Sequence, residues 1–274
     1  NTLDSEVRVP VSHVGGVWYV NGDDLYGLSG EGSTITIPVK CDYDYTVDMP
    51  AWITGEKVKE GYNFTLTENT TGNARKGTVI FKSQKGTKEI TFVQFGVNDI
   101  AGTYEATYST FGEGDDWVSE TVKIELLQDE ENEAVFYADG LSSIRGVVLP
   151  LKFDGETYQL SALNGQYLGF IESQKWYLYT IVRSEAGYVH ADTSLSYPAI
   201  AELDVDDEEL MPFFPFKDKK GFSFTGETGT IKSFIDAIGV YVFASKSPTF
   251  GNNNNLGYYD IFKDLSIKKI KADH

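Results

Sequence analysis

The chain has 274 residues, 41% of them hydrophobic and 14% aromatic, which is enough apolar material for a large core and enough length for two domains of ordinary size. Its net charge of −18 disfavours nucleic acid and anionic membrane surfaces as partners, since both repel an acidic protein. No apolar run approaches the roughly 18 residues of a transmembrane helix, so no transmembrane segment is expected.

Tyr (17) and Phe (17) far outnumber Met (2), which favours strands, because aromatic rings fit a pleated, half-buried surface. No charged and apolar leader opens the chain, so any signal peptide is expected to have been removed. Cys41 is the one cysteine, which rules out a disulfide within the chain; a small buried hydrophobe is the expected role. Charge is uneven. Residues 1–96 carry nine Lys/Arg against twelve Asp/Glu, net −3, and the remainder fourteen against twenty-nine, net −15. That shift supports a boundary near residue 97.

In chain order, TITIPVKCDYDYTV alternates with a period of two. Ile35, Ile37, Val39, Cys41, Tyr43, Tyr45 and Val47 share one parity, and Thr34, Thr36, Lys40, Asp42 and Asp44 the other. This is a sheet with one wet face. Pro38 has no N–H for a ladder, so this strand is expected at an edge or with a break. MPAWIT places Trp52 after a proline turn, and GTVIFKS and KEITFVQFG flank a QKGT turn. Several strands spaced by turns indicate a β-sandwich.

Together these residues resemble the BACON domain, an immunoglobulin-like module of secreted Bacteroidetes proteins. The matching elements are TITIPVKC, Trp52-Ile53, NTTGNARKGTVIF with Arg75 and Gly77, and ITFVQFG with Gln94 and Gly96. They cover roughly residues 8–97. The resemblance implies export to the periplasm or outer-membrane surface, commonly as a lipoprotein whose anchoring cysteine would precede Asn1. It also links the chain by analogy to carbohydrate or mucin contact, with this first unit as a spacer.

The second unit opens DIAGTYEATY, and its Gly102-Thr103-Tyr104 resembles the start of lipocalin-like (calycin) barrels. Strand candidates follow: TYEATYST, WVSETVKIELLQ, EAVFYADG, GVVLPLKF, ETYQLSAL, YLGFIES, KWYLYTIVRS, GYVHADTS, AIAELDVD, GFSFTG, VYVFASK and YYDIFKDLSIKK. KWYLYTIV is apolar on both faces, as in a central strand. In TIKSFIDAIG, Ile231, Phe234, Ile235 and Ile238 recur at i, i+3, i+4 and i+7, with Thr230 to cap and Gly239 to end, which predicts one short helix. The prolines of MPFFPF, residues 211–216, predict a loop whose phenylalanines either plug the barrel end or form an exposed patch. GNNNNL, residues 251–256, reads as a polar loop with no packing obligation.

Chemistry-bearing constellations are sparse. The DVDDEE cluster, 204–209, lacks the spacing of a calcium loop and reads as a solvated acidic segment. Carboxylates for a glycosidase could come from Asp115 and Asp116 beside Trp117, or from Glu105, Glu113 and Glu172; such a pair must flank the bond at about 5–9 Å. His190 and Asp192 would share a strand face, but no G-x-S-x-G elbow supplies a serine. No glycine-rich phosphate loop or Cys/His metal spacing is present, so no cofactor is expected. The aromatics say more. Trp117, Tyr137, Tyr167, Trp176, Tyr177, Tyr179 and Tyr188, with Phe213 and Phe214, are the candidate ligand-binding residues, because Tyr and Trp combine an apolar face with a polar handle.

The expected fold is all-β: an immunoglobulin-like sandwich over 1–97 and a lipocalin-like antiparallel barrel over 98–274. Three functions stay open. One is a non-catalytic protein binding a glycan or small amphipathic ligand. The others are a protein-interaction module of a surface complex, and a glycoside hydrolase.

Overall fold

The computed structural model of the chain describes residues 16–71, 74–112, 116–155, 157–203, 211–226, 229–251 and 253–270. Strand makes up 63% and helix 1%, so the protein is all-β. The chain divides into two compact units, Asn1–Thr70 with Arg75–Gln94, and Thr71–Ala74 with Phe95–His274.

The first unit is built from β1 (Trp18–Val20), β2 (Leu25–Ser29), β3 (Ser33–Cys41), β4 (Tyr45–Asp48), β5 (Ile53–Val58), β6 (Gly61–Leu66), β7 (Arg75–Ser83) and β8 (Gly86–Phe95). They form two four-stranded sheets, ordered β1-β3-β6-β5, which is antiparallel throughout, and β2-β8-β7-β4, in which β8, β7 and β4 run antiparallel. One core joins them: Ile37, Ile53, Tyr62, Phe64 and Leu66 from the first sheet meet Val79, Phe81, Ile90 and Phe92 from the second. Phe64 and Phe81 cross edge to face at 5.8 Å. The alternation of residues 34–47 is realised, with Ile37 buried and Thr34, Thr36 and Lys40 exposed. Cys41 is half-buried, and its thiol donates to the Tyr43 carbonyl at 3.1 Å.

Pro38 lies in an interior strand, not at an edge. Its carbonyl accepts from the Asn21 N–H at 2.9 Å, just beyond the last residue of β1, so its missing donor falls where that neighbour has ended. Elsewhere in the first unit, Arg75 donates from Nε (2.9 Å) and Nη2 (2.8 Å) to Gln94 Oε1, and Gln94 Nε2 donates to the Thr67 carbonyl at 3.1 Å. Gln94 is fully buried and satisfied by this network. The guanidinium lies 4.4 Å from the centre of the Trp52 ring. Gly77 makes room for that indole, since a Cβ there would sit 2.8 Å from Trp52 Cζ2.

The second unit comprises β9 (Gly102–Phe111), β10 (Trp117–Gln128), β11 (Val135–Asp139), β12 (Leu149–Asp154), β13 (Gln159–Leu163), β14 (Tyr167–Ile171), β15 (Trp176–Ser184), β16 (Val189–His190), β17 (Ser196–Ile200), β18 (Glu202–Leu203), β19 (Pro212–Pro215), β20 (Phe222–Gly226), β21 (Gly229–Ser233), β22 (Ile235–Phe243) and β23 (Asn255–Lys269). The main path runs β14-β15-β22-β23-β9-β10-β11-β12-β13-β17, all antiparallel, and curls on itself. β19 pairs with β23, and Ala199 of β17 bridges to Phe216, with the Lys217 N–H donating to the Pro198 carbonyl at 2.7 Å. The register keeps one face inward all the way round. Ile267 pairs with Ala106 and Phe214, Ala199 with Leu160, Leu160 with Phe153, Leu151 with Phe136, and Ile124 with Tyr104. These residues, with Tyr197, are buried and fill the concave side.

Two local expectations are corrected. Thr230–Gly239 is not helical: its first part completes the β20–β21 hairpin and the rest opens β22. β22 lies between β15 and β23 with all nine residues buried, so a near-continuous apolar run, rich in branched side chains, is satisfied on both faces as a strand. The helical spacing came from reading two strands as one element, and Phe234 marks the break, 43% exposed. MPFFPF is not irregular either. Its prolines stand at the first and last positions of β19, where a lost N–H is tolerated, while Phe214 and Phe216 point into the interior and are buried.

At the centre of the sheet, Gly239 accommodates the neighbouring strand. A Cβ there would lie 2.2 Å from the Asp260 carbonyl oxygen and 2.8 Å from Tyr258 Cδ1. Gly239→Ala is expected to destabilise the protein by about 2 kcal/mol through overpacking, read as a lower urea midpoint.

Candidate functional site

β15 carries aromatic residues on both faces, and its neighbours sort them. Across β14, β15, β22 and β23 the register aligns Tyr167, Tyr179, Tyr241 and Tyr258 in one row. A second row runs Phe170, Tyr177 and Phe243. Tyr167 packs on Tyr179 at 5.3 Å, Phe170 on Tyr177 at 4.6 Å, and Tyr241 on Tyr258 at 4.8 Å between ring centres. Inner members Tyr179, Tyr241 and Phe243 are buried, but at the free edge Tyr167 is 49% and Phe170 43% exposed. A bulge makes this possible. Tyr167 pairs with Tyr179 and Gly169 with Leu178, so Leu168 is an extra residue and Phe170 shares the face of Tyr167 despite odd spacing.

The segment 244–254 holds the inner rings down. Phe250 lies 5.6 Å from Tyr241 and 5.5 Å from Phe243, and the Tyr179 hydroxyl donates to the Lys246 carbonyl. The Asn254 side-chain amide donates to the Ser247 (2.8 Å) and Thr249 (2.9 Å) carbonyls, which gives this polar stretch a structural duty not expected from its composition. The Tyr258 hydroxyl donates to the Ile181 carbonyl at 3.1 Å. Of the rings behind the strip of Tyr167, Phe170 and Tyr177, Tyr179 and Tyr258 thus have their hydroxyls occupied.

Of the nine candidates, Tyr167, Tyr177 and Tyr179 come together and the other six lie elsewhere. Trp176 is on the opposite face, 6.2 Å from Tyr259. Tyr188 packs on Phe224 of the β20–β21 hairpin at 5.1 Å. The Tyr137 hydroxyl donates to Asp129 Oδ2 at 2.9 Å, and that bond raises its pKa. Trp117 packs against Phe111 at 4.6 Å, with Arg183 and Lys263 over its ring at 5.3 and 5.5 Å. Phe213 is half-buried on β19, and Phe214 is interior. Phe170, Tyr241, Phe243, Phe250 and Tyr258 were missed. The apolar run over β22 was the available signal for Tyr241 and Phe243.

Glu113, Asp115 and the 204–209 cluster lie outside the described residues. Glu105, Asp116 and Glu172 are exposed on separate elements. Among the described residues no three His, Cys, Asp or Glu side chains cluster so as to hold a metal ion. His190 does not meet Asp192, whose Oδ1 accepts from the Ser194 N–H at 2.9 Å. Its Nε2 instead lies 3.2 Å from the Oγ of fully buried Ser184, and Phe222 and Phe224 meet its ring edge to face. Arg183 Nη1 pairs with Asp236 Oδ2 at 2.6 Å, and Asp236 is 7% exposed with Oδ1 unpartnered. Burial raises the Asp236 pKa, and Arg183 works against that rise.

No family model matches the chain, and no curated protein matches it. Among solved structures, it is similar to a Bacteroides ovatus GH5 xyloglucanase in complex with a XXXG heptasaccharide, at 20% identity and a TM-score of 0.26. That match covers 28% of this chain and spans 18% of the xyloglucanase. A protein of unknown function from Bacteroides ovatus matches at 8% identity and a TM-score of 0.26, over 87% of this chain and 97% of that one. Such scores carry no argument about fold or function.

Two pH-dependent outcomes follow. Burial lowers the His190 pKa below its usual 6.5, so the unfolded chain takes up this proton first and stability is lost as pH falls through 6.5. His190→Phe is expected to flatten that acid limb in melts between about pH 7 and about pH 5. Arg183→Met leaves the buried Asp236 carboxylate unpaired and is expected to cost about 3 kcal/mol at neutral pH. The loss shrinks as pH falls and the carboxyl group, its pKa raised by burial, takes up a proton.

Proposed function

We propose that this protein is a non-catalytic binding protein whose C-terminal unit takes a glycan on the Tyr167–Phe170–Tyr177 strip. One observation carries the reading: two large aromatic side chains stand about half exposed at the free edge of a sheet, each packed at a tilt against a second ring of the same face. A sugar offers a flat C–H face and a hydroxyl rim. The rings supply the apolar contact and the tyrosine hydroxyls at positions 167 and 177 the polar contacts. Because the backing rings are packed, little side-chain entropy remains to be lost on binding.

The rest of the reading is consistent with this. The curled sheet of the second unit is taken as a lipocalin-like barrel with a solid interior, so the ligand sits outside it. The two packed sheets of the first unit are taken as an immunoglobulin-like, BACON-type spacer. The Trp52–Arg75–Gln94 cluster and its contact with Gly77 support this, because it unites the residues on which that resemblance rests. Export to the periplasm or cell surface belongs to the same reading.

Calorimetric titration of soluble oligosaccharides tests it. The Tyr167→Ala, Phe170→Ala double variant is expected to bind the responding glycan about tenfold more weakly or worse, since each ring contact contributes about 0.5–1.5 kcal/mol. Trp176→Ala, on the opposite face, should leave affinity unchanged. Equal binding by the double variant and the unaltered chain would remove the strip from the site.

A further inference from the structure

A groove of about 280 Å³ lies between the outer face of β17 and the segment Lys217–Phe222. Ser196, Pro198 and Ile200 of β17 face it, while the alternate residues Tyr197 and Ala199 fill the interior. Phe222 and Ile235 complete an apolar floor, and Lys217, Lys219 and Lys220 stand on the rim. This is an unusual place on the chain. The half beyond residue 96 carries fourteen basic residues against twenty-nine acidic ones, yet three lysines fall within four positions here.

The acid among them, Asp218, also lines the groove and offsets one of the three charges, which leaves residues 217–220 at net +2. Asp218 Oδ1 accepts from the N–H groups of Lys220 (3.0 Å) and Gly221 (2.9 Å), and Oδ2 from the Ile235 N–H (3.0 Å). Its carboxylate is turned to the backbone and ties the segment to β22. One residue earlier the Lys217 N–H is held by the Pro198 carbonyl at 2.7 Å. The wall carrying the lysines is thus tied to both β17 and β22, and the groove is formed before any ligand arrives.

We propose that this groove binds a small organic anion: a carboxylate or sulfonate group on an apolar body of one or two rings. The volume equals roughly nine waters at about 30 Å³ each, which suits such a body and is too small for a long acyl chain. The lysine rim supplies the charge complement, and it concentrates an anion at a groove wall that is net positive in an otherwise acidic unit. The apolar floor rejects a fully hydrated inorganic ion. Neither the aromatic strip nor glycan binding is involved, so this site stands or falls separately.

The probes are naphthoate and its neutral counterpart naphthylmethanol, titrated into the full chain and followed by backbone amide NMR. Naphthoate is expected to move the amides of residues 196, 197, 199, 200 and 217–222 and to bind about fivefold or more tighter than the alcohol. The Lys217→Gln, Lys219→Gln, Lys220→Gln variant, altered only at exposed side chains, should abolish that preference while Tyr167→Ala leaves it intact. Equal binding of both probes, a preference that survives the triple variant, or no shift at these amides would overturn the proposal.

Discussion

The inward register of the curled sheet is the constraint on which the second unit depends. Each strand from β9 to β13, then β17, β19 and β23, presents alternate residues to one concave side, and the pairings keep that parity through the bridge of Ala199 to Phe216. Large rings fill this space: Tyr104, Phe136, Tyr197 and Phe214 are fully buried. These rings occupy the concave side, where a curled sheet could otherwise hold a ligand. Binding surfaces are then sought on the outer face, and the lysine-rimmed groove is a product of this curl. The bond from Lys217 to Pro198 completes the circuit and also anchors one wall of the lysine-rimmed groove.

The aromatic strip depends on a different part of the same sheet. β23 runs fifteen residues, from Asn255 to Lys269, pairing first with β22 and then with β9 and β19. Its first half extends the sheet beyond the curled part and gives β15 and β14 something to build on. Gly239 lets Tyr258 lie close against β22, so the row from Tyr258 through Tyr241 and Tyr179 to Tyr167 has no gap. Exposure along that row is greatest at the free edge, where Tyr167 is 49% exposed. An edge strand normally invites unwanted pairing, and β14 is short and interrupted by its bulge at Leu168, which limits that risk.

Much of this was legible in the sequence where one physical signal acted alone. The alternation from Thr34 to Val47 has one wet and one dry face, and the sheet follows it. Signals failed where two elements met or where a pairing partner decided the outcome. Ile231 to Ile238 has helical spacing only because β21 ends and β22 begins within it. The prolines of MPFFPF argue for a loop until their positions at the two ends of β19 are known. Two of the three strip residues were within reach, because Tyr167 and Tyr177, with Tyr179 behind them, stood out by composition. Phe170 was not, because an odd spacing in a strand implies opposite faces, and the bulge that reverses this is set by the register with β15.

The most direct measurement is aromatic carbon–proton NMR of the full chain during an oligosaccharide titration. Binding on the outer strip predicts shifts at Tyr167, Phe170 and Tyr177 while the interior rings of Tyr104 and Tyr197 stay still. Shifts at the interior rings, or a glycan that binds without disturbing the strip, would contradict it.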